Sequence, residues 1–152
     1  MTKPTGGRSA SASSSRGGPS AGGAFADTNV LLYLLSADAA KADRAEEIIR
    51  GRPAISVQVL NEFASVARRK LAMPWDEVNE ILRTIRAACP VHPLGEETHD
   101  AGLELARRYG LGVYDAMILA AAQLANCDTL FSEDMQHGMR VGAQLRIVNP
   151  FL

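Results

Sequence analysis

The stretch AFADTNVLLY, residues 24–33, decides how this chain folds. Its first three residues, 24–26, are apolar and predict the end of a short buried strand. Asp27, Thr28 and Asn29 follow directly, and these residue types can cap the helix that begins within residues 30–35. The stretch therefore predicts a strand that turns into a helix, with a carboxylate at the junction.

Short apolar runs alternate with helical patterns along the rest of the chain. After residues 24–26, further strands are predicted at residues 54–56, 91–94, 129–131 and 145–148. Between them, helices are predicted at residues 42–49, 57–70, 74–89, 98–109 and 113–124, with Ser56 and Thr98 as N-caps. This order predicts the α/β class: a single three-layer α/β/α domain with a central, mostly parallel sheet of four to five strands.

The first 24 residues differ in composition from the remainder. They are rich in Gly, Ser and Ala, contain three basic residues and no acidic one, and offer little apolar surface to bury. We expect residues 1–24 to form a disordered leader and residues 25–152 to form one domain. The 152-residue length and the 47% hydrophobic content suit one domain with a single core.

Neither composition nor charge indicates a membrane protein or a general polyanion binder. Asp27 and Asp115 interrupt the two longest apolar stretches, so a cytoplasmic location is expected. Cys89 and Cys127 lack the spacing of a zinc site or a disulfide framework, and are predicted to be core residues. The net charge is −1, and three of the 16 basic residues lie in the leader. Nucleic acid could therefore be bound only through a local basic patch or a metal.

Isolated carboxylates are the main functional signal. Three acidic residues each stand as the only charge in a long window: Asp27 in residues 17–37, Glu62 in residues 53–67, and Asp115 in residues 109–127. Burying an ionised carboxylate costs several kcal/mol unless it is paired, hydrogen-bonded or metal-bound. A shared divalent cation would explain all three together. Asp134, just past the fourth predicted strand, would lie at the same carboxyl edge of the sheet.

Each acid also has a simpler explanation. Asp27 alone would serve as a helix N-cap, and Asp115 near a helix start would interact favourably with the helix dipole. Asp134 lies among Asp128 and Glu133 in what resembles an ordinary polar loop. Glu62 has no such explanation, because it has apolar neighbours and no nearby cation before Arg68.

Four segments in this order resemble the PIN domain family, and most closely the VapC-like toxins of toxin–antitoxin pairs. The resemblance covers residues 24–152, and its motifs are ADTNVLLY at residues 26–33, LNEF at 60–63, GVYDAMILAAA at 112–122 and FSEDMQHG at 131–138. Ser132 stands where the family often has Thr. The resemblance implies a Mg²⁺- or Mn²⁺-dependent endoribonuclease.

Carried onto this sequence, the family site consists of four acids that are both catalytic and metal-binding: Asp27, Glu62, Asp115 and Asp134. Such a carboxylate set suits Mg²⁺, which prefers oxygen ligands. We expect Thr28, Asn29 and Ser132 to orient these acids through hydrogen bonds.

The resemblance also implies an RNA substrate, a cognate antitoxin and a homodimer. Arg68, Arg69 and Lys70 form the best candidate contact to the RNA backbone. The antitoxin would lie in a groove between the helices at residues 57–70 and 78–89. Two other classes of function remain as alternatives: a phosphoacceptor receiver domain, which fits poorly because only one acid follows the first strand, and a non-catalytic RNA- or protein-binding module.

Overall fold

The computed structural model describes residues 22–152, which form a sheet flanked by helices. In chain order the strands are β1 (Ala24–Ala26), β2 (Ile55–Ser56), β3 (Val91–His92), β4 (Thr129–Phe131), β5 (Arg140–Val141) and β6 (Leu145–Val148). The helices are α1 (Thr28–Leu32), α2 (Ala39–Arg50), α3 (Val57–Arg69), α4 (Trp75–Ala88), α5 (Glu96–Tyr109) and α6 (Val113–Leu124), and a 3-10 turn (Tyr33–Leu35) follows α1.

Strand β1 lies in the middle of the sheet. It pairs in parallel with β4, which pairs in parallel with β6, while β2 and β3 form a second parallel pair. The two groups are joined at Phe25 and Ala54, since the Ala54 amide donates to the Ala24 carbonyl over 2.9 Å. The resulting strand order is β3-β2-β1-β4-β6-β5. The predicted α/β class and mostly parallel sheet are thus confirmed.

The antiparallel edge strand β5 was not predicted. It contains only Arg140 and Val141, which pair with Arg146 and Leu145 of β6. A two-residue strand with one exposed and one buried side chain has no apolar run that a sequence pattern could reveal.

Several helix starts also differ from the prediction, and α2 begins at Ala39, before the predicted residue 42. Helix α1 begins at Thr28 because Asp27 itself is the N-cap, whereas the predicted start lay within residues 30–35. The prediction of Thr98 as the N-cap of α5 was wrong, because the helix begins earlier, at Glu96. The Thr98 hydroxyl instead accepts a hydrogen bond from the Gly95 amide, which it reaches from the third helical position.

The core fills the space between the sheet and its helices. Helix α6 is buried over all seven residues from Ala116 to Ala122, as its continuous apolar sequence predicts. Phe25 of β1, Phe63 of α3 and Leu130 of β4 are fully buried in the same cluster. Cys89 and Cys127 are buried free thiols, as predicted.

The predicted leader lies outside the described residues except for Gly22, Gly23 and Ala24, and Ala24 begins β1. Within residues 22–152, every helix is too short or too polar to cross a lipid bilayer.

Candidate active site

The register between β1 and β4 places Asp27 beside Ser132. Ala26 is opposite Phe131, so each strand ends one residue before a polar side chain. The Asp27 amide donates to the Phe131 carbonyl over 2.9 Å, which extends the pairing by one residue. The Ser132 hydroxyl then donates to Asp27 Oδ2 over 2.7 Å. Both side chains are buried, with 3% and 0% of their surface exposed.

Two further hydrogen bonds fix the Asp27 carboxylate. The Thr28 amide donates to Oδ1 over 2.7 Å, and Asn29 Nδ2 donates to Oδ2 over 3.2 Å. The same Asn29 nitrogen lies 3.1 Å from Asp134 Oδ2, while its oxygen accepts from the Glu133 amide. Asn29 therefore links the two carboxylates that follow β1 and β4. Asp27 is an N-cap, as its simpler explanation proposed, and it also belongs to this polar network.

Glu62 enters the network from α3. Its Oε1 accepts from the Thr28 hydroxyl over 3.1 Å, and its Oε2 accepts from Gln58 Nε2 over 2.8 Å. Thr28 thus contacts two acids, because its backbone amide binds Asp27 and its hydroxyl binds Glu62. Strand β2 leads directly into α3, so Glu62 reaches the same edge of the sheet from the second turn of that helix.

Asp115 lies in the first turn of α6 and is half-buried. Its pKa is raised, first by burial and then by repulsion from Glu62 and Asp134. Burial also raises the pKa of Asp27 to about 6, against the hydrogen bonds from Ser132 and Thr28, with smaller contributions from repulsion by two other acids, Asp115 and Asp134. Carboxylates from separate segments therefore repel one another at one edge of the sheet.

None of these four acids forms an ion pair with a lysine or arginine within residues 22–152. In the same part of the chain, no group of three or more acidic, histidine or cysteine side chains is close enough together to hold a metal ion as the side chains stand. Mutual repulsion opposes closer approach of the carboxylates in the absence of a cation. An all-oxygen donor set with uncompensated negative charge fits a hard divalent ion such as Mg²⁺, which retains several waters and does not require a complete protein cage.

Gln58 is a site residue that the sequence analysis missed. It precedes Glu62 by one helical turn, and this i, i+4 spacing places the two side chains on one face of α3. A polar residue within the apolar window around Glu62 was the available signal.

The sequence analysis also missed a second group of residues, which surrounds Glu133, the residue before Asp134. The Tyr33 hydroxyl donates to Glu133, and Lys41 Nζ lies 3.0 Å from that hydroxyl and 3.1 Å from Glu133 Oε2. The hydrogen bond from Tyr33, followed by Lys41, lowers the pKa of Glu133. The Glu133 carboxylate is thereby held away from the four acids, while its backbone amide binds Asn29. Tyr33 and Lys41 are far from Glu133 in the sequence, so no motif indicated this contact.

Two of the three cations predicted to contact RNA at the end of α3 interact with nearby residues of the chain. Arg68 donates to the Met73 carbonyl over 2.8 Å and stacks on Trp75, while Arg69 donates to Ser65. All three cations, Arg68, Arg69 and Lys70, are exposed. Their contact with RNA stays a prediction.

The PIN domain family model matches residues 24–138, and the chain belongs to this family. No curated protein sequence matches the chain.

Several solved structures have a similar fold. The toxin–antitoxin complex from Klebsiella pneumoniae contains a chain with 22% identity and a TM-score of 0.64, and the match covers 84% of this chain and 97% of that one. VapC20 of Mycobacterium tuberculosis, described as a sarcin–ricin loop cleaving toxin, has 18% identity and a TM-score of 0.60 over 73% of this chain and 89% of its own. FitAcB from Neisseria gonorrhoeae has 17% identity and a TM-score of 0.62 over 84% of this chain and 98% of its own.

Proposed function

We propose that this chain is a divalent-metal-dependent endoribonuclease that hydrolyses RNA phosphodiester bonds and serves as the toxin of a toxin–antitoxin pair in the cytoplasm. One observation carries the proposal: acids from separate segments, Asp27, Glu62, Asp115 and Asp134, interact at one sheet edge, and within residues 22–152 no lysine or arginine pairs with them. Such an arrangement is unfavourable for folding alone, and it suits a site that holds a cation against a phosphate.

In this proposal each acid has a role. Asp27 and Asp115 would hold Mg²⁺ or Mn²⁺ directly, Glu62 would hold the ion or act as a base toward a water, and Asp134 would hold the ion through water. When bound, such an ion lowers the pKa of a water and offsets the charge that develops on the phosphate. Thr28 and Gln58 hold the Glu62 carboxylate in one orientation, and Ser132 holds that of Asp27.

The chain length and the shared fold support the proposed partners. The similar structures include a complex named as toxin–antitoxin, and VapBC2 of Rickettsia felis bound to promoter DNA, at 19% identity and a TM-score of 0.59. A cleft of about 230 Å³ between α3 and α4 supports a peptide site for a cognate antitoxin. It is lined by Leu60 of α3 and by Asn79, Leu82, Arg83 and Arg86 of α4. Homodimer formation completes this part of the proposal.

Cleavage of an RNA panel by the purified full chain tests the activity. We expect cleavage in Mg²⁺ or Mn²⁺, none in EDTA, and a loss of at least about 100-fold in Asp27→Asn and Asp115→Asn, equivalent to about 3 kcal/mol of transition-state stabilisation. Asp100→Asn, at an exposed position on α5, is the matched control and should cleave like the wild type. Equal cleavage by all variants would identify a contaminating nuclease and refute the proposal.

One other candidate is a non-catalytic RNA- or protein-binding module, which is favoured because no three acidic, histidine or cysteine side chains within residues 22–152 are close enough together to hold a metal ion. The two functions differ in divalent binding. Calorimetric titration with Mn²⁺ should give a binding isotherm for the wild type that disappears in Asp27→Asn. A protein that binds RNA but neither binds Mn²⁺ nor cleaves RNA would be the binding module.

A further inference from the structure

A cleft of about 590 Å³ opens between the first turns of α5 and α6. Three of its lining residues, Leu94, Val113 and Tyr114, are large apolar side chains that remain 38%, 48% and 68% exposed. Exposed apolar surface gathered around one concavity is typical of a ligand or partner site.

The cleft is continuous with the acidic edge of the sheet. Gln58 lines it and is itself 8% exposed, and its Nε2 donates to Glu62 Oε2 over 2.8 Å. Tyr114 also lines it and immediately precedes Asp115 in α6. A molecule in the cleft would therefore contact residues that directly adjoin two of the proposed catalytic acids.

The charges of the residues that line the cleft indicate which kind of ligand it can bind. Among the residues that the structure describes, the cleft is lined by Gln58, Leu94, Gly95, Glu96, His99, Val113, Tyr114 and Met117, none of which is a lysine or an arginine. Glu96 disfavours a phosphate there, and its carboxylate accepts hydrogen bonds from groups such as the exocyclic amines of nucleobases. An exposed tyrosine offers a stacking surface, since every base has a π-face.

We infer that this cleft binds an unpaired nucleobase of the RNA, flanking the phosphate that is cleaved. The inference rests on the proposed ribonuclease function and adds a base-binding site to it. Tyr114 stacks on the base, while Gln58, Glu96 and His99 present polar groups to its edge. A base in the cleft would lie against Gln58, which binds Glu62, and against Tyr114, which precedes Asp115.

Photo-crosslinking locates the base directly. The full chain is mixed in EDTA, where cleavage is not expected, with single-stranded oligoribonucleotides that carry 4-thiouridine, and cross-linked peptides are identified by mass spectrometry. We expect cross-links within residues 94–99 or 113–117, or at Gln58. Cross-links confined to other segments would overturn the inference.

Binding of the same RNA, followed by fluorescence anisotropy in EDTA, gives a second measurement. Tyr114→Ala should weaken binding about 5- to 150-fold, because stacking of one base on an aromatic ring is worth about 1–3 kcal/mol, whereas Tyr114→Phe should bind like the wild type. Leu103→Ala removes another exposed apolar side chain, which does not line the cleft, and serves as the control.

The outcomes separate this inference from the proposed function. RNA that cross-links in the cleft but is never cleaved in Mn²⁺ would support the base site and refute the hydrolysis. Normal cleavage with normal RNA binding by Tyr114→Ala would refute the base site alone. Protection of the cleft by a second copy of the chain or by a bound peptide, with RNA unable to cross-link there, would also overturn the inference.

Discussion

The Ser132 hydroxyl donates a hydrogen bond to Asp27 Oδ2 over 2.7 Å, although the two residues are 105 positions apart in the sequence. The same hydroxyl accepts from the Met135 amide over 3.2 Å. Ser132 therefore connects the end of β1 to the turn that follows β4, and this turn carries Asp134. A short hydroxyl side chain fixes the separation of two acids that come from different strands.

Loss of this hydroxyl should weaken metal binding. We expect Ser132→Ala to lower the affinity for Mn²⁺ about 10- to 100-fold, the usual effect of removing a hydrogen bond that orients a ligand. Isothermal titration calorimetry measures this change. Ser132→Thr retains the hydroxyl and should restore most of the affinity. Ser65→Ala, at an exposed position on α3, should change nothing, and an equal loss in that control would argue against a specific role.

The metal-free protein should lose stability as the pH rises. Asp27 has a pKa of about 6 in the folded chain against 3.8 as its ordinary value, so the folded state binds this proton more tightly. The resulting stabilisation is complete below about pH 4 and is lost as the pH rises through 6. This difference corresponds to about 3 kcal/mol. The raised pKa of Asp115 acts in the same direction.

Urea denaturation in EDTA between pH 4.5 and 7.5 measures this loss. Asp27→Asn is the control for the other titrating groups, and its free energy of unfolding should depend less steeply on pH. Addition of Mg²⁺ at pH 7.5 should restore stability, because the ion binds the folded state. A wild-type pH dependence identical to that of Asp27→Asn would contradict the raised pKa.

Thr28→Val tests the hydrogen bond that orients Glu62. Valine keeps the shape of the buried side chain and preserves the backbone amide that binds Asp27, but it removes the donor to Glu62 Oε1. We expect kcat for RNA cleavage to fall about 10-fold with little change in KM, as the loss of an orienting partner predicts. Thr84→Val, on an exposed face of α4, is the matched control. A rise in KM at constant kcat would indicate a substrate contact instead.

Phe63→Ala tests how much the buried face of α3 contributes to the stability of the fold. Phe63 is fully buried on α3 beside Glu62, and its truncation should lower the free energy of unfolding by about 3–5 kcal/mol. The measurement is the urea midpoint at constant slope. The exposed Leu103→Ala should shift the free energy by less than about 0.5 kcal/mol. A similar shift in both variants would place Phe63 outside the cooperative core.

Much of this fold follows from local sequence patterns. Helix α6 begins and ends at the predicted residues, since the segment between Gly112 and Ala125 is apolar apart from Asp115 and Gln123. Asp27 and Asp134 could be assigned to the carboxyl edge of the sheet in advance, whereas the pairing of β1 with β4 that brings Ser132 to Asp27 came from the structure. Strand β5 and the cap at Gly95 could not be predicted from the sequence, because each depends on contacts that one short segment does not encode.

The site residues also divide into those that the sequence indicated and those that only the structure revealed. Isolated charges in apolar windows indicated Asp27, Glu62 and Asp115, since such residues need partners from elsewhere in the fold. Polar residues that act on these acids gave weaker signals. Gln58 was recognisable only by its helical spacing from Glu62, and the contact between Lys41 and Glu133 joins residues 92 positions apart. Tertiary structure is needed to distinguish such residues from ordinary surface side chains.

Trp75 is the single tryptophan of the chain, and it stands 59% exposed with the Arg68 guanidinium 4.6 Å from the centre of its ring. Its intrinsic emission therefore reports on the junction of α3 and α4 without any attached dye. A peptide that settles over this junction would exclude water from the indole and shift the emission to shorter wavelengths. Stopped-flow mixing could then follow capture and release of an inhibitory partner in real time, separately from any measurement of RNA.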